Sequence, residues 1–192
     1  EKQLIATDIK LRNGKQIDLN FLSENDRNVN LLVSDMDGTL LEEECIDEIA
    51  ELVGKGTEVK KITALAMKEG LNFEEALDRR LALIKGTEIE VLEKCIAKRI
   101  NIRCGAKVLF KTFKKHFGDT AILSGGFTFF SDRIQRQLKA DFSFANVLEF
   151  KNNRLTGKIL GSIVNSEKKT ELMKQLSARQ GKNISNAVAV GD

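Results

Sequence analysis

The stretch from residue 30 to residue 39, NLLVSDMDGT, decides the fold. Its apolar run is continuous rather than alternating, as is typical of a strand that is buried on both faces of a sheet. Two other runs share this character, TAILS at residues 120–124 and AVAVGD at residues 187–192. Buried strands of this kind, separated by long helical segments, predict an α/β protein whose parallel sheet is covered by helices.

Each of the three runs ends in polar residues. Asp35 follows the first strand, Ser124 ends the second and Asp192 ends the third. Parallel strands direct their carboxyl ends to the same edge of a sheet, and the ligands of open α/β sheets bind beyond that edge. The sequence therefore predicts one site to which all three strands contribute.

Composition narrows the class of protein. The chain has 192 residues, of which 42% are hydrophobic and 31% charged, and its formal net charge is +3. No apolar run approaches the roughly 20 residues of a membrane span, and no secretory signal is visible. A charge this small, spread along the chain, predicts neither a nucleic acid nor an anionic membrane as a partner. The three cysteines lack the spacing of a zinc site or a disulfide framework, which favours free thiols in a cytoplasmic protein.

A helical insertion separates the first two strands. Four amphipathic stripes, with apolar residues at i, i+3, i+4 and i+7, predict four helices in it. Asn72 is expected to open the third helix, and Thr87 with Glu90 predicts a capping box at the start of the fourth. We therefore assign residues 42–103 to a helical bundle that is inserted after the first strand.

The remaining segments predict the rest of the core, which we assign to residues 30–41 and 104–192. The expected elements are a helix at 105–116, a helix at 127–138, a hairpin within 144–163 that turns at Asn152-Asn153, and a helix capped by Ser166 that ends near residue 179. Upstream, Asn13-Gly14 between two apolar runs is a strong hairpin signal. Residues 1–29 are therefore predicted to form an N-terminal hairpin extension, in which we find no chemistry.

Asp35 and Asp37 are the sharpest chemical feature of the sequence. Two carboxylates two residues apart after a buried strand can point into one site. Without a partner they would repel each other and lose hydration, at a cost of several kcal/mol. Mg²⁺ removes that cost, because it prefers carboxylate oxygens as ligands. The motif alone is also compatible with an acidic turn that binds nothing.

Lys169 has an unusual position. It lies near the third residue of the helix that Ser166 is expected to cap, where the helix dipole disfavours a cation. An anion in front of the helix would explain it. Lys168 is an alternative that local sequence does not exclude, and either side chain could simply be solvated.

Four motifs in order carry a family resemblance: Asp35-Met36-Asp37-Gly38-Thr39, Ser124-Gly125-Gly126-Phe127, Lys169 and Gly191-Asp192. Together they resemble the haloacid dehalogenase superfamily of phosphatases. This implies a Rossmann-like fold for residues 31–192 and a helical cap for the insertion at 42–103. Within the superfamily, the stretches 44–50 and 71–80 look most like the cap of the phosphoserine phosphatase family.

The resemblance implies a mechanism. Asp35 would be the nucleophile that forms an aspartyl-phosphate, and Asp37 would protonate the leaving hydroxyl and later activate water. Ser124, the Gly125 amide and Lys169 would hold the phosphoryl oxygens. The substrate would be O-phospho-L-serine, which is hydrolysed to serine and phosphate in the last step of serine biosynthesis.

The resemblance also implies a metal site and a substrate site. Mg²⁺ would be bound by Asp35, by the backbone carbonyl of Asp37 and by Asp192. Glu44 and Arg80 in the cap would bind the ammonium and the carboxylate of the serine moiety. Met67 and Phe73 would exclude water. Glu44 is also compatible with a solvated charge run, Met67 and Phe73 with simple core positions, and Arg80 with a structural pair within the cap.

Two other functions stay open. One is a phosphatase or phosphotransferase of the same superfamily that acts on another small phosphorylated metabolite. The other is a degenerate binding module that retains the fold without turnover. The superfamily continues beyond Gly191-Asp192 to a further acidic residue, so we expect this chain to be an incomplete fragment with weak or no activity.

Overall fold

The fold is described by a computed structural model, which covers residues 7–10, 16–19, 28–69, 72–179, 181 and 183–191. Its strands are β1 (Thr7–Lys10), β2 (Gln16–Leu19), β3 (Leu31–Ser34), β4 (Asp119–Phe127), β5 (Phe142–Lys151), β6 (Arg154–Leu160) and β7 (Ala187–Val190). Its α-helices are α1 (Cys45–Leu52), α2 (Gly56–Glu69), α3 (Phe73–Leu83), α4 (Ile89–Lys98), α5 (Ala106–His116), α6 (Thr128–Leu138) and α7 (Ser166–Arg179).

The main sheet has five strands in the order β6-β5-β4-β3-β7. β3 pairs in parallel with both β4 and β7, and β4 pairs in parallel with β5. All four residues of β3 are buried, as its continuous apolar run predicts for a central parallel strand. β6 is the antiparallel exception, because it returns from β5 through the predicted turn at Asn152-Asn153. The predicted α/β fold with a parallel sheet is confirmed.

The predicted helical insertion is present as four helices, α1 to α4, between β3 and β4. Asn72 caps α3 as expected, because its side chain accepts a hydrogen bond from Glu74 N at 2.8 Å. β1 and β2 form the predicted N-terminal antiparallel pair, while the predicted turn at Asn13-Gly14 lies outside the described residues. In the part of the chain that the structure describes, no helix has the length and hydropathy needed to cross a bilayer.

The predicted capping box at Thr87 is wrong. α4 begins one residue later, with Glu88 as its N-cap and no side-chain cap. The cause is a contact with the hairpin: Leu155 N donates to Thr87 O and Ile89 N donates to Asn153 O, both at 2.9 Å. This pairing holds Glu88 in an extended conformation, and Thr87 instead donates its hydroxyl to Ile84 O.

Ser166 is also not the cap of α7. It is the first residue of the helix, and Asn165 caps it by accepting a hydrogen bond from Lys168 N at 2.9 Å. The first backbone hydrogen bond of the helix runs from Lys169 N to Asn165 O. Lys169 therefore lies one position further into the helix than the sequence predicts.

Candidate active site

The candidate site begins where β3 ends. Asp35 N still donates to Val190 O at 2.9 Å, and the chain then turns, with Leu40 N and Leu41 N both donating to Met36 O at 2.9 Å. Gly38 adopts a positive φ of 65°, which glycine tolerates without strain. The turn directs the carboxyl groups of Asp35 and Asp37 beyond the carboxyl edge of the sheet.

A cavity of about 190 Å³ lies over this edge. Core elements line it with Asp35, Asp37, Ser124, Gly125, Gly126, Phe127 and Lys169, and the inserted helices with Glu44, Ile46, Phe73, Leu77 and Arg80. The structure thus places eight of the ten predicted site residues in one cavity. The other two are the side chain of Met67 in α2 and the whole of Asp192, both of which lie outside the described residues.

Asp35 is held by two partners. Its Oδ1 accepts a hydrogen bond from Met36 N at 2.7 Å, and its Oδ2 pairs with Lys169 Nζ at 2.5 Å. Asp35 is therefore the anion that the position of Lys169 in the first turn of α7 required. The alternative, Lys168, pairs with Glu171 at 2.8 Å and does not line the cavity.

Asp37 is enclosed by protein. Its Oδ1 accepts from Cys45 N at 3.0 Å, and its Oδ2 accepts from Ser124 Oγ at 3.4 Å. Burial raises the pKa of Asp37, since the charged form loses hydration, and hydrogen bonds from Cys45 and Ser124 offset part of this rise. The charge of Asp35 raises the pKa further. A carboxyl group with a raised pKa retains a proton more readily, as a general acid must.

Two glycines make room for this arrangement. β4 and β5 shift register between Leu123 and Phe127, so Ser124, Gly125 and Gly126 leave the regular ladder. A Cβ on Gly126 would lie 2.2 Å from Asp37 Oδ2, and one on Gly125 would lie 2.9 Å from Phe73 Cζ. Only glycine allows the carboxyl group on one side and the aromatic ring on the other to come this close.

The donor set fits a hard cation such as Mg²⁺. Asp35 and Asp37 lie close enough for the charge of Asp35 to raise the pKa of Asp37, and a cation between them would relieve that repulsion. No group of three or more Asp, Glu, His or Cys side chains able to hold a metal is found among the described residues. The third predicted ligand, Asp192, is not described, but Gly191 before it lines a second cavity together with Asp35.

The inserted helices line the cavity with both charged and apolar side chains. Arg80 on α3 donates its Nε to Ala76 O at 3.2 Å and lines the cavity. Its charge also acts on Asp47, where burial raises the pKa and Arg80 offsets part of the rise. Glu44 precedes the first turn of α1 in an extended conformation. Phe73 begins α3 and is 39% exposed.

Sequence reasoning missed three residues that shape the site. Arg103 donates to Gly38 O and Thr39 O, both at 3.0 Å, and so holds the turn after β3. The backbone amide of Cys45 donates a hydrogen bond to the carboxyl group of Asp37. Asn146, which is 1% exposed, binds the carbonyl of Gly125. Asn146 interrupts the apolar run at residues 144–148, which was the one available signal for it; no local pattern marks the other two.

The chain is similar to proteins of a known family. A family profile for haloacid dehalogenase-like hydrolases matches residues 32–192. The chain is 42% identical over 181 residues to a phosphoserine phosphatase from Archaeoglobus fulgidus, and the match covers 94% of this chain and 52% of that protein. It is 41% identical over 162 residues to a phosphoserine phosphatase from Methanocaldococcus jannaschii, with 84% and 76% covered.

A solved structure described as a substrate-bound phosphoserine phosphatase complex has a TM-score of 0.78 at 38% identity. The similarity covers 84% of this chain and 76% of that one. By length, the chain spans about half of the Archaeoglobus relative and about three quarters of the Methanocaldococcus relative.

Proposed function

The chain belongs to the haloacid dehalogenase-like hydrolase family, and we propose that the protein hydrolyses O-phosphoserine to serine and phosphate. One observation carries the proposal. A single cavity holds a paired carboxylate and ammonium, Asp35 and Lys169, and an enclosed carboxyl, Asp37, on the core side, with Glu44 and Arg80 on the cap side. The residues on the core side suit the binding of a phosphate, and those on the cap side suit the ammonium and carboxylate of an amino acid.

The reaction proceeds in two displacements. In the first, Asp35 attacks phosphorus, the bond between phosphorus and the serine oxygen breaks, and Asp37 donates a proton to that oxygen. In the second, Asp37 takes a proton from water as the water oxygen attacks phosphorus, which frees phosphate and regenerates Asp35. Lys169, Ser124 and the Gly125 amide bind the phosphoryl oxygens in both steps.

Asp35, the backbone carbonyl of Asp37 and Asp192 would hold Mg²⁺. When bound, the ion supplies positive charge that neutralises the phosphoryl oxygens and so allows an anionic nucleophile to approach. The carboxyl oxygens of Asp37 are engaged with Cys45 and Ser124, which is consistent with its carbonyl acting as the ligand.

Residues 42–103 form the cap in this proposal. Arg80 binds the carboxylate of the serine moiety and Glu44 its ammonium group. Phe73 and Met67 exclude water from the reacting atoms. The substrate is a small molecule, and the three free thiols favour a cytoplasmic enzyme at the end of serine biosynthesis.

Arg80→Ala tests the substrate. Loss of one charge-assisted pair costs about 2–4 kcal/mol in transition-state binding, or about 30- to 1,000-fold in kcat/KM for phosphoserine. Phosphoethanolamine has the ammonium but lacks the carboxylate, so its slower turnover should change little. Arg79→Ala is the matched control, because Arg79 lies next to Arg80 on α3 but pairs with Glu75 on the surface. Equal losses for both substrates would refute the phosphoserine assignment and leave a phosphatase for another metabolite.

Chelation tests the metal. EDTA should abolish hydrolysis and added Mg²⁺ should restore it, while Ca²⁺ should restore little because it prefers more ligands at longer distances. Asp35→Asn should abolish turnover in the presence of Mg²⁺, because an amide cannot form the acyl-phosphate. Full activity after exhaustive chelation would show that Asp35 and Asp37 do not serve a metal.

A further inference from the structure

Asn146 is a buried polar residue in the middle of the sheet. It lies in β5 and is 1% exposed. Its Nδ2 donates to Gly125 O at 2.7 Å, and its Oδ1 accepts from Val164 N at 2.8 Å. Asparagine and glutamine are the side chains that offer a donor and an acceptor on one planar amide. The side chain therefore joins two backbone segments that do not pair with each other.

Both backbone groups need a partner from outside regular structure. The register shift between Leu123 and Phe127 removes Gly125 from the β4–β5 ladder. Val164 lies in the segment between β6 and α7, where the chain has left the sheet. An unpaired buried backbone group costs about 1–3 kcal/mol, so the Asn146 amide stabilises both segments.

The bond to Gly125 reaches the general acid through a chain of contacts. Gly125 O and Gly126 N belong to one peptide unit, whose carbonyl is bound by Asn146. Its N–H donates to Ser124 Oγ at 2.8 Å, and Ser124 Oγ in turn donates to Asp37 Oδ2 at 3.4 Å. Gly125 and Gly126 have no side chains, so no side-chain packing of their own restricts the rotation of this peptide.

The bond to Val164 acts on the other half of the site. Val164 is followed by Asn165, which caps α7 through Lys168 N. Lys169 on the first turn of that helix pairs with Asp35. One side chain therefore anchors both the segment that orients Asp37 and the segment that presents Lys169.

We propose that Asn146 is a positioning residue for catalysis: it fixes the Gly125–Gly126 peptide, and through it Ser124 and Asp37, in the orientation needed to protonate the leaving group. Asn146 is not among the residues that line the cavity, so it acts through the backbone that it binds. The proposal rests on the proposed phosphatase function, but it does not depend on serine as the leaving group.

Asn146→Asp is the first test. It keeps the acceptor for Val164 N but replaces the donor to Gly125 O with an oxygen. Asn186→Asp is the matched control, since Asn186 also bridges backbone segments, with its Nδ2 donating to Asn28 O at 2.6 Å. Asn186 lies at the amino end of β7, the opposite end of the sheet from the site.

The assay compares leaving groups. An alkyl phosphate needs the proton from Asp37, whereas p-nitrophenyl phosphate has a good leaving group and needs it less. We expect Asn146→Asp to lower kcat/KM about 10- to 100-fold for phosphoserine and glycerol 2-phosphate, a fraction of the 10²- to 10⁴-fold that general acids contribute. The loss for p-nitrophenyl phosphate should be several-fold smaller, and Asn186→Asp should stay within about twofold of wild type for all three.

If the role of Asn146 were purely structural, Asn146→Asp would lower the melting temperature, and the folded enzyme would lose activity equally on all three substrates. That outcome, or activity within about threefold of wild type, would overturn the proposal. If wild type hydrolyses glycerol 2-phosphate but not phosphoserine, the proposed function fails and the other two substrates still decide the role of Asn146.

The ¹⁵N–¹H shifts of Gly125 and Gly126 give a readout without turnover. They should move in Asn146→Asp and stay unchanged in Asn186→Asp; unmoved shifts in the first variant would overturn the proposal. If burial of a carboxylate prevents folding, as judged by circular dichroism, Asn146→Ser is measured in the same way, because it removes the amide without adding charge.

Discussion

At Gly126 the chain leaves no room for a side chain. A Cβ there would lie 2.2 Å from Asp37 Oδ2 and 3.0 Å from both Met36 Cε and Ser124 Oγ. The Asp37 carboxyl is held on its far side by Cys45 N, so it cannot retreat without losing that bond. Gly126 therefore determines how closely the carboxyl group of Asp37, the proposed general acid, approaches the turn at Ser124–Gly126.

Gly126→Ala should lower kcat/KM by about 100-fold or more, because it displaces Asp37, the proposed general acid, and general acids contribute about 10²- to 10⁴-fold. Gly56→Ala is the control. Its Cβ would lie 2.3 Å from the carboxyl group of Glu51, but this is the end of a flexible, partly exposed side chain that can move into solvent. Steady-state kinetics on phosphoserine measures both variants. A Gly126→Ala enzyme with wild-type kinetics would show that Asp37 is free to shift.

Asp141 connects β4, α5 and the start of β5 at the end of the sheet opposite the candidate site. It accepts hydrogen bonds from Thr120 N and Thr120 Oγ1 in β4, both at 3.0 Å, and pairs with Lys114 of α5 just before β5 begins. Burial raises the pKa of Asp141, but the bonds from Lys114 and Thr120 outweigh this effect and hold the pKa below its usual value. The charged form is thus the one that stabilises the fold.

A depressed pKa in the folded state gives a stability contribution that is present above the pKa of the unfolded chain, about 3.9 for Asp. This stabilising contribution is lost as the pH falls through the pKa of Asp141 in the folded state. Asp141→Asn should therefore lower the free energy of unfolding by about 1 kcal/mol at pH 7, and the difference from wild type should vanish well below pH 4.

Urea denaturation followed by far-UV circular dichroism at several pH values measures this difference. Glu51→Gln, which removes an exposed pair with Lys60, should leave the midpoint unchanged throughout. An Asp141→Asn deficit that persists unchanged at low pH would mean that the ion pair is not its source.

On the scale of the whole molecule, the inserted helices and the sheet share one hydrophobic cluster. Its buried members include Ile49, Leu77 and Leu81 from the insertion, together with Phe127 and Phe130 from the core. Backbone hydrogen bonds between residues 86–89 and the β5–β6 hairpin add a second connection. The cap and the core should therefore unfold together rather than one after the other.

Leu81→Ala tests this cooperativity. Removal of a fully buried leucine costs about 2–5 kcal/mol, and the whole transition should move to lower temperature as a single step. Leu65→Ala on α2 is the control, because Leu65 is 41% exposed and its loss should change stability by less than about 0.5 kcal/mol. Calorimetry and circular dichroism should give the same midpoint. Two separate transitions would show that the cap folds independently.

Most of the secondary structure was predictable because its signals are local. The continuous apolar run of β3, the stripes of α1 to α4 and the cap at Asn72 depend on neighbours within one or two turns. The two errors, at Thr87 and Ser166, occurred where a distant segment or an adjacent asparagine displaced the local signal. The motif pairs Asp35–Asp37 and Ser124–Gly125 were predictable because parallel strands bring their carboxyl ends to one edge.

By itself, the sequence determined which side chains could do chemistry, since residue type and motif order do not depend on folding. Only the tertiary structure decided how they are held. The hydrogen bonds that Asn146 makes with Gly125, as donor, and with Val164, as acceptor, join residues 21 and 18 positions away, and the pair of Lys169 with Asp35 joins residues 134 positions apart. Contacts at such separations depend on how the sheet and helices pack, and no periodicity of the sequence encodes that packing.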